Sequence, residues 1–478
     1  ILGVSSFLLI AYYRDRYLPV KNAVKVFSIY RVGDIGLILA MWLSHHLWHE
    51  NITFFKLNNL ALVHNQIAHH QLLALSVAMS ILLTAVIKSA QFPFSSWLPR
   101  AMEGPTPSSA IFYGSLAVHI GAFLLQRTAG FWEDMLFFKV QLILVGLVSA
   151  TLSTFTARVQ SSIKAQVAYS SIAQIGIIFI ELAFGWYDLA LIHFVGNAFL
   201  RTYQLLISPS IVTYKIREQF FNFEPNADQL TKKWSKKLSY TIYMLSLQEW
   251  KLDDFLYKRL WLPVKNIGAR LNFLNLSNIL IFFVPLLVGA FCLLYFKTDI
   301  PSEITQYIPE IFALIGLILV IKAFTERRSV RLSFALVLLN HLWVAMAISF
   351  NDNVNWEHII IYLSGVLLFG LLGFATILWL KKLERRVFLN QFYGHSYEHP
   401  RIAFFFLLCC LGMAGFPISP PFIGEDLIYS HIQSGQLFLA VFVSLSFIID
   451  GLALIRIYAR VFLGPHHKTY HESAYRSS

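Results

Sequence analysis

Apolar residues run along this chain in blocks of roughly 20, set apart by short polar stretches that hold most of the charge. A block of that length crosses a hydrocarbon core of about 30 Å as a helix. Lipid offers the backbone no hydrogen-bond partners, so helices are predicted for every block. The pattern predicts about 13 membrane spans: near 1–12 (incomplete), 28–48, 71–92, 107–127, 138–157, 163–185 and 187–213, then 277–297, 306–323, 330–350, 356–380, 402–433 and 436–461. The fold class is therefore an all-α polytopic membrane protein, with broken helices where Pro and Gly interrupt a block. Four regions follow: a helix bundle at 1–213, expected to be truncated at its N-terminus, a cytoplasmic amphipathic insertion at 214–276, a second bundle at 277–463, and a cytoplasmic tail at 464–478.

Charge sorts the loops. If they alternate sides, one side receives Arg14, Arg16, Lys21 and Lys25, then Arg100, Arg158, Lys215 to Arg270, Arg327, Arg328 and Arg331, then Lys381, Lys382, Arg385 and Arg386, and the tail. The other side receives little beyond Lys56, Arg127, Lys139 and Lys297. Such asymmetry marks the first side as cytoplasmic. The net charge of +12 is thus a property of loops, and nucleic acid is not the natural partner. An apolar share of 57% with 42 Phe, 21 Tyr and 11 Trp excludes a disordered or ordinary soluble chain. Cys292, Cys409 and Cys410 all lie in apolar runs and offer neither a disulfide framework nor a thiolate metal site.

Within 214–276, LQEWKLDDFLYKRLWLPVKNIGARLNFL alternates apolar and charged residues at helical spacing. That predicts a surface-lying amphipathic helix, a docking platform for a cytoplasmic partner, or both. An internal repeat is also visible. ARVQSSIKAQVAYSSIAQIG (157–176) and RRSVRLSFALVLLNHLW (327–343) superpose with a shift of 167 residues, which aligns Lys164 with Arg331 and Gln174 with His341.

Ionisable residues inside spans are costly and mark ion or proton pathways. Here they are Arg31 and Asp34 in IYRVGDIG, Lys88, His119, Lys164, His193 and Arg201, His341, Glu425 with Asp426, and Asp450 with Arg456. Arg31 and Asp34, three apart, fit an ion pair that orients a helix as well as a functional pair. Asp450 and Arg456 read as structural or modulating charges too. Lys164, near a span's end, can snorkel or serve a pathway. Lys88 is set apart because Pro93 and Pro99 break the helix after it, and irregular backbone at that depth is tolerated only inside protein or beside water. A lysine held there can exchange a proton as nearby charges change. Glu425 follows GFPISPPFIG and shares that context. His45, His46, His49, His64, His69 and His70 crowd one external loop, where a solvated loop is a simpler reading than a metal site.

IKSAQFPFSSWLPRAMEGPTPSSAIFYGS resembles the signature of the antiporter-like membrane subunits of respiratory complex I and of Mrp-type cation/proton antiporters. GVSSFLLIAYY, FSIYRVGDIGLILA, SSIKAQVAYSSIAQIG, LALIHFVGNAFLRTYQLL and LGMAGFPISPPFIGEDLI extend the likeness over most of the chain outside 214–325. The resemblance implies a proton-translocating subunit in which Lys88 is the paired lysine, Lys164 and His193 are axis positions and Glu425 is the distal charge. It places the partner glutamate of Lys88 just before Ile1. It also implies a bacterial inner membrane and no catalytic residue, metal or cofactor in the chain itself. Departures stand at Arg100, where the family has Asp, at Tyr113 in place of His with His119 six residues on, and at Asn197 and Arg201. With the extra spans over 277–380, these make the chain most similar to the DabB-type subunit of two-component inorganic-carbon accumulating systems. That likeness implies a large cytoplasmic zinc partner, related to carbonic anhydrases and docked on 214–276, for CO2 hydration and bicarbonate accumulation. A proton-pumping subunit of an NADH-quinone oxidoreductase and a non-conducting membrane anchor are the alternatives.

Overall fold

The computed structural model describes residues 1–49, 53–57, 59–221, 236–297, 301–352, 354–384 and 387–466. Arg385, Arg386, residues 222–235 of the insertion and the tail from 467 onward lie outside the described residues. The chain folds as an all-α polytopic membrane protein. Among the described residues ten helices are long and apolar enough to cross a membrane: Tyr17–Trp48, Gln71–Lys88, Thr106–Arg127, Leu136–Val159, Ile163–Ala183, Leu276–Tyr295, Ile308–Thr325, Val330–Ser349, Trp356–Leu383 and Leu437–Phe462.

Three of the predicted spans take another form. The 1–12 block holds a nine-residue helix, Leu2–Ile10, shorter than a span needs. The 187–213 block runs on into a 35-residue helix, Tyr187–Phe221, with Pro209 inside it. The 402–433 block divides into Pro400–Met413 and Pro420–Ser430. Its break carries Gly415 and Ile418 at positive φ, and the pair Pro420–Pro421 opens the second piece, where a missing N–H costs nothing.

Two compact units divide the chain. One comprises Leu2–Tyr12 and Lys25–Leu260, the other Ile1, Tyr13–Val24 and Trp261–Ser478. In the first unit, Leu136–Val159 and Ile163–Ala183 pack closely enough that a Cβ on Gly146 or on Gly176 would collide with the other's carbonyl oxygen. Small residues let helices approach in this way where lipid supplies no hydrophobic drive. A shift of 167 carries Ile163 onto Val330, which begin matching helices, and brings Tyr187 within two residues of Trp356.

Several contacts within each unit join loops that the alternation predicts on one side. In the first, Lys25 Nζ lies 2.6 Å from Asp253 Oδ2, and Arg100 pairs with both Glu249 and Asp253. These residues all belong to loops predicted on the basic side. At the opposite end His64 Nε2 lies 2.7 Å from Asp134 Oδ2. In the second unit Gly464 N donates to Arg14 O at 2.7 Å, and the Arg14 guanidinium stands 5.1 Å from the Tyr397 ring centre. At the other end Lys297 Nζ donates to Asn351 O, whose Nδ2 reaches His431 O at 2.8 Å.

In the insertion, helices Lys236–Leu247 and Leu252–Leu256 are separated at 249–251, where three successive residues take left-handed backbone, while residues 252–270 are helical throughout. The Arg100–Glu249 pair and Trp250 Nε1, which donates to Thr156 Oγ1 at 3.1 Å, fix that kink against the bundle.

Candidate functional site

Lys88 is the last residue of the Gln71–Lys88 helix. Beyond it the chain turns through Ala90, at φ 54°, before Trp97–Ala101 resumes a helix. Backbone groups freed by such a break must be satisfied inside protein. Trp97 Nε1 donates to Ile87 O at 2.9 Å, Phe92 N donates to Ser149 Oγ at 2.8 Å, and Ser89 Oγ accepts from Ala122 N at 3.2 Å. The break is thus built into the packing.

Lys88 Nζ sits 2.6 Å from Asp34 Oδ1, 3.3 Å from Tyr30 O and 4.6 Å from the centre of the Tyr30 ring. Arg31 Nη1 approaches the other Asp34 oxygen at 3.4 Å. The expected Arg31–Asp34 pair therefore exists, and Lys88 joins it. One carboxylate faces two cations. Among the described residues, the counter-charge of Lys88 is Asp34.

The remaining predicted residues of this unit fall into two hydrogen-bonded sets and one separate lysine. His119 Nδ1 lies 2.7 Å from Ser115 O, so that nitrogen carries the proton and Nε2 accepts from Asn197 Nδ2 at 2.9 Å. Asn197 Oδ1 accepts from Arg201 Nε at 3.1 Å, and Arg201 Nη1 donates to Gln204 Oε1 at 2.7 Å. His193 stands outside that chain: Nδ1 is 2.9 Å from Glu181 Oε1 and Nε2 is 2.8 Å from Gln174 Oε1. Two acceptors suit an imidazolium, and a reversed Gln174 amide suits the neutral ring in the same place. Lys164, in the first turn of its helix, donates to Gly104 O at 3.2 Å and reaches Met102 O at 3.4 Å, holding the segment after the break.

The second unit has its own set. His341 Nε2 lies 2.8 Å from Asp450 Oδ2, and His341 Nδ1 is 2.6 Å from the Tyr362 hydroxyl. The Glu425 carboxyl packs over Gly415 in the helix break, where any Cβ would strike it. Arg456 does not share Asp450: its Nη2 donates to Glu326 O at 2.6 Å. Lys322, itself buried, pairs with Glu326 at 2.7 Å.

Sequence reasoning missed Glu181, Lys322 and Glu326. Lys322 and Glu326 carried a visible signal, opposite charges four apart at the end of an apolar block. Glu181 gave none, since its partner His193 comes from another helix.

Residues 1–248 match the family described as "NADH:quinone oxidoreductase/Mrp antiporter, TM". The chain belongs to this family. Among its relatives, the chloroplastic NAD(P)H-quinone oxidoreductase subunit 5 of Dioscorea elephantipes is 35% identical over 216 residues, 44% of this chain and 28% of that protein. The Oryza sativa counterpart is 33% identical over 233 residues, 48% of this chain and 31% of its own length. The match thus spans under a third of these relatives. A solved Mrp complex from Dietzia sp. DQ12-45-1b includes a chain 13% identical to this one, covering 98% of this chain and 85% of its own, with a TM-score of 0.41. For this NADH:quinone oxidoreductase/Mrp member, the family match takes in the whole Asp34–Lys88 break and the His119–Asn197–Arg201 set.

Proposed function

We propose that this chain is a proton-translocating, antiporter-like subunit of a larger membrane assembly, with its basic loops facing the cytoplasm of a bacterial cell. The observation that carries the reading is the Asp34–Lys88 contact of 2.6 Å at a helix break held inside the protein. A proton can leave Lys88 when Asp34 turns toward Arg31, and return when Asp34 turns back. His193, able to sit in one place in two protonation states, is the next carrier. Arg201 hardly ever gives up its proton, so it orients Asn197 and His119 and does not relay. Lys164 gates the segment after the break. In the second unit Glu425 fills the corresponding role, and the His341–Asp450 pair is a fixed structural charge. Proton flux in liposomes containing the purified chain tests this: it should be present in the native chain and lost in Lys88→Ala. Flux unchanged by that substitution would reject the assignment.

Two assemblies fit. A quinone-oxidoreductase assembly is supported by relatives of that name at 33–35% identity. An inorganic-carbon assembly, with a cytoplasmic zinc protein hydrating CO2 and docking on 214–276, is supported by the departures at Arg100, Tyr113, Asn197 and Arg201. Of these departures, Arg100 is itself tied to the insertion through Glu249 and Asp253. Zinc there would lower the pKa of its bound water and supply hydroxide, all within the partner. Co-purification from native membranes separates the two: iron–sulfur and flavin subunits against a zinc protein. A chain that binds a partner and passes no protons would be the anchor instead.

A further inference from the structure

Five side chains that the proton reading leaves unused converge in the second unit. Glu384, His395 and Glu398 each bring one ligand atom within 4.8 Å of the others. Two histidines complete the group. His399 Nε2 lies 3.1 Å from Glu384 Oε1 and 4.0 Å from Glu398 Oε2, while His466 Nε2 lies 3.2 Å from Glu398 Oε1. His395 Nδ1 stands 3.6 Å from Glu398 Oε2. We propose that these residues form a binding site for one divalent transition-metal ion of the zinc class, a clasp between Glu384, the 395–399 segment and the segment after Leu437–Phe462.

The spacing favours a shared ion over simple pairing. Ligands about 2.0–2.1 Å from a tetrahedral zinc sit roughly 3.3–3.4 Å from one another. The four separations straddle that value, and two of them, 3.6 and 4.0 Å, are too long for hydrogen bonds. Two carboxylates are also brought together with little water, since the Glu384 and Glu398 side chains are 10% and 9% exposed. A cation between them offsets that repulsion. Imidazole nitrogens mixed with carboxylates suit zinc and its neighbours, whereas calcium and magnesium take oxygen ligands alone.

The scaffold exists independently of any ion. His395 N donates to Val461 O at 3.2 Å and Ser396 N to Phe462 O at 3.0 Å, so the loop is laced to the end of the last helix. Gly394, at φ 67°, passes so near Gly464 that a side chain there would strike its carbonyl oxygen. His395 stacks on Tyr393 at 5.6 Å between centres, and the Tyr397 ring stands edge-on to His466 at 5.9 Å. Ligands held by independent contacts are preorganised for a metal.

The test uses the full chain, purified in detergent without a histidine tag, stripped with a chelator and then offered Zn2+ alone. After dialysis one tightly held zinc per chain is expected by elemental analysis. Glu398→Gln and His395→Gln should each lose that equivalent, while a chain with His45, His46 and His49 all changed to Gln should keep it. His466→Gln, at the edge of the cluster, is the variant least able to disturb folding and should weaken zinc binding about tenfold or more. Co2+ in the same site should give the visible absorption of a four- or five-coordinate nitrogen and oxygen site in the native chain. No retained zinc in the native chain, or equal zinc in the native, Glu398→Gln and His466→Gln chains, overturns the proposal.

Discussion

The two units pair a base with a carboxylate in different ways. Asp34 and Lys88 meet at a helix break with side chains 25% and 13% exposed, and Asp34 has a second cation, Arg31, within 3.4 Å. His341 and Asp450 meet with side chains 0% and 2% exposed, and the other His341 nitrogen is taken by Tyr362. A proton can be traded only where the partner left behind has somewhere else to turn. The first arrangement offers that choice, and the second holds its charge in one geometry. The largest expected effect follows. Lys88→Ala and Asp34→Asn should each cut proton flux about a hundredfold. Lys88→Arg should fold and still fail, because a guanidinium keeps the charge without releasing the proton. Flux that falls just as far in a well-folded Asp450→Asn chain would erase the contrast.

For the sealed pair the readout is stability. Removing one partner of a buried ion pair leaves an uncompensated charge and costs about 3–5 kcal/mol. Asp450→Asn should therefore lower the melting temperature in detergent far more than Asp34→Asn, whose cationic neighbours Lys88 and Arg31 are 13% and 19% exposed. Tyr362→Phe is gentler: it leaves His341 Nδ1 without its hydroxyl partner and should cost about 1–3 kcal/mol. Equal losses in Asp34→Asn and Asp450→Asn would show that burial does not distinguish the two pairs.

Much of this contrast could be read from the chain, though not all. Blocks of apolar residues gave the spans, and Pro93, Pro417 and Pro420 marked the breaks, because local chemistry decides both. Lys88 and Glu425 stood out for the same reason. Pairings did not, since nothing along the sequence tells Lys88 that Asp34, 54 residues earlier, faces it. Asp450 and Arg456 looked like companions at helical spacing, yet packing assigns one to His341 and the other to the Glu326 carbonyl. The amphipathic spacing in the insertion does not reveal the left-handed kink at 249–251, which stands just before the helical stretch 252–270. The His/Glu cluster was only partly visible: His395, Glu398 and His399 stand within five residues, but the fold alone brings His466 to them.

The smallest expected effect lies at the basic end of the first unit, where Asp253 faces Lys25 and Arg100. Burial alone would raise the carboxyl's pKa, but Lys25 and Arg100 outweigh it and hold the group below its usual range. A depressed carboxylate contributes stability that is complete above its unfolded value of about 3.9 and lost as pH falls through the lower folded value. The pair is about one-third exposed, so the contribution is about 0.2–1 kcal/mol, screened further by salt. Asp253→Asn should thus lower the melting temperature slightly from pH 5 to 8, and the gap from the native chain should close below about pH 4. A gap as large as that of Asp450→Asn, or one that widens in acid, would mean that this surface cluster is as sealed as the pair in the second unit.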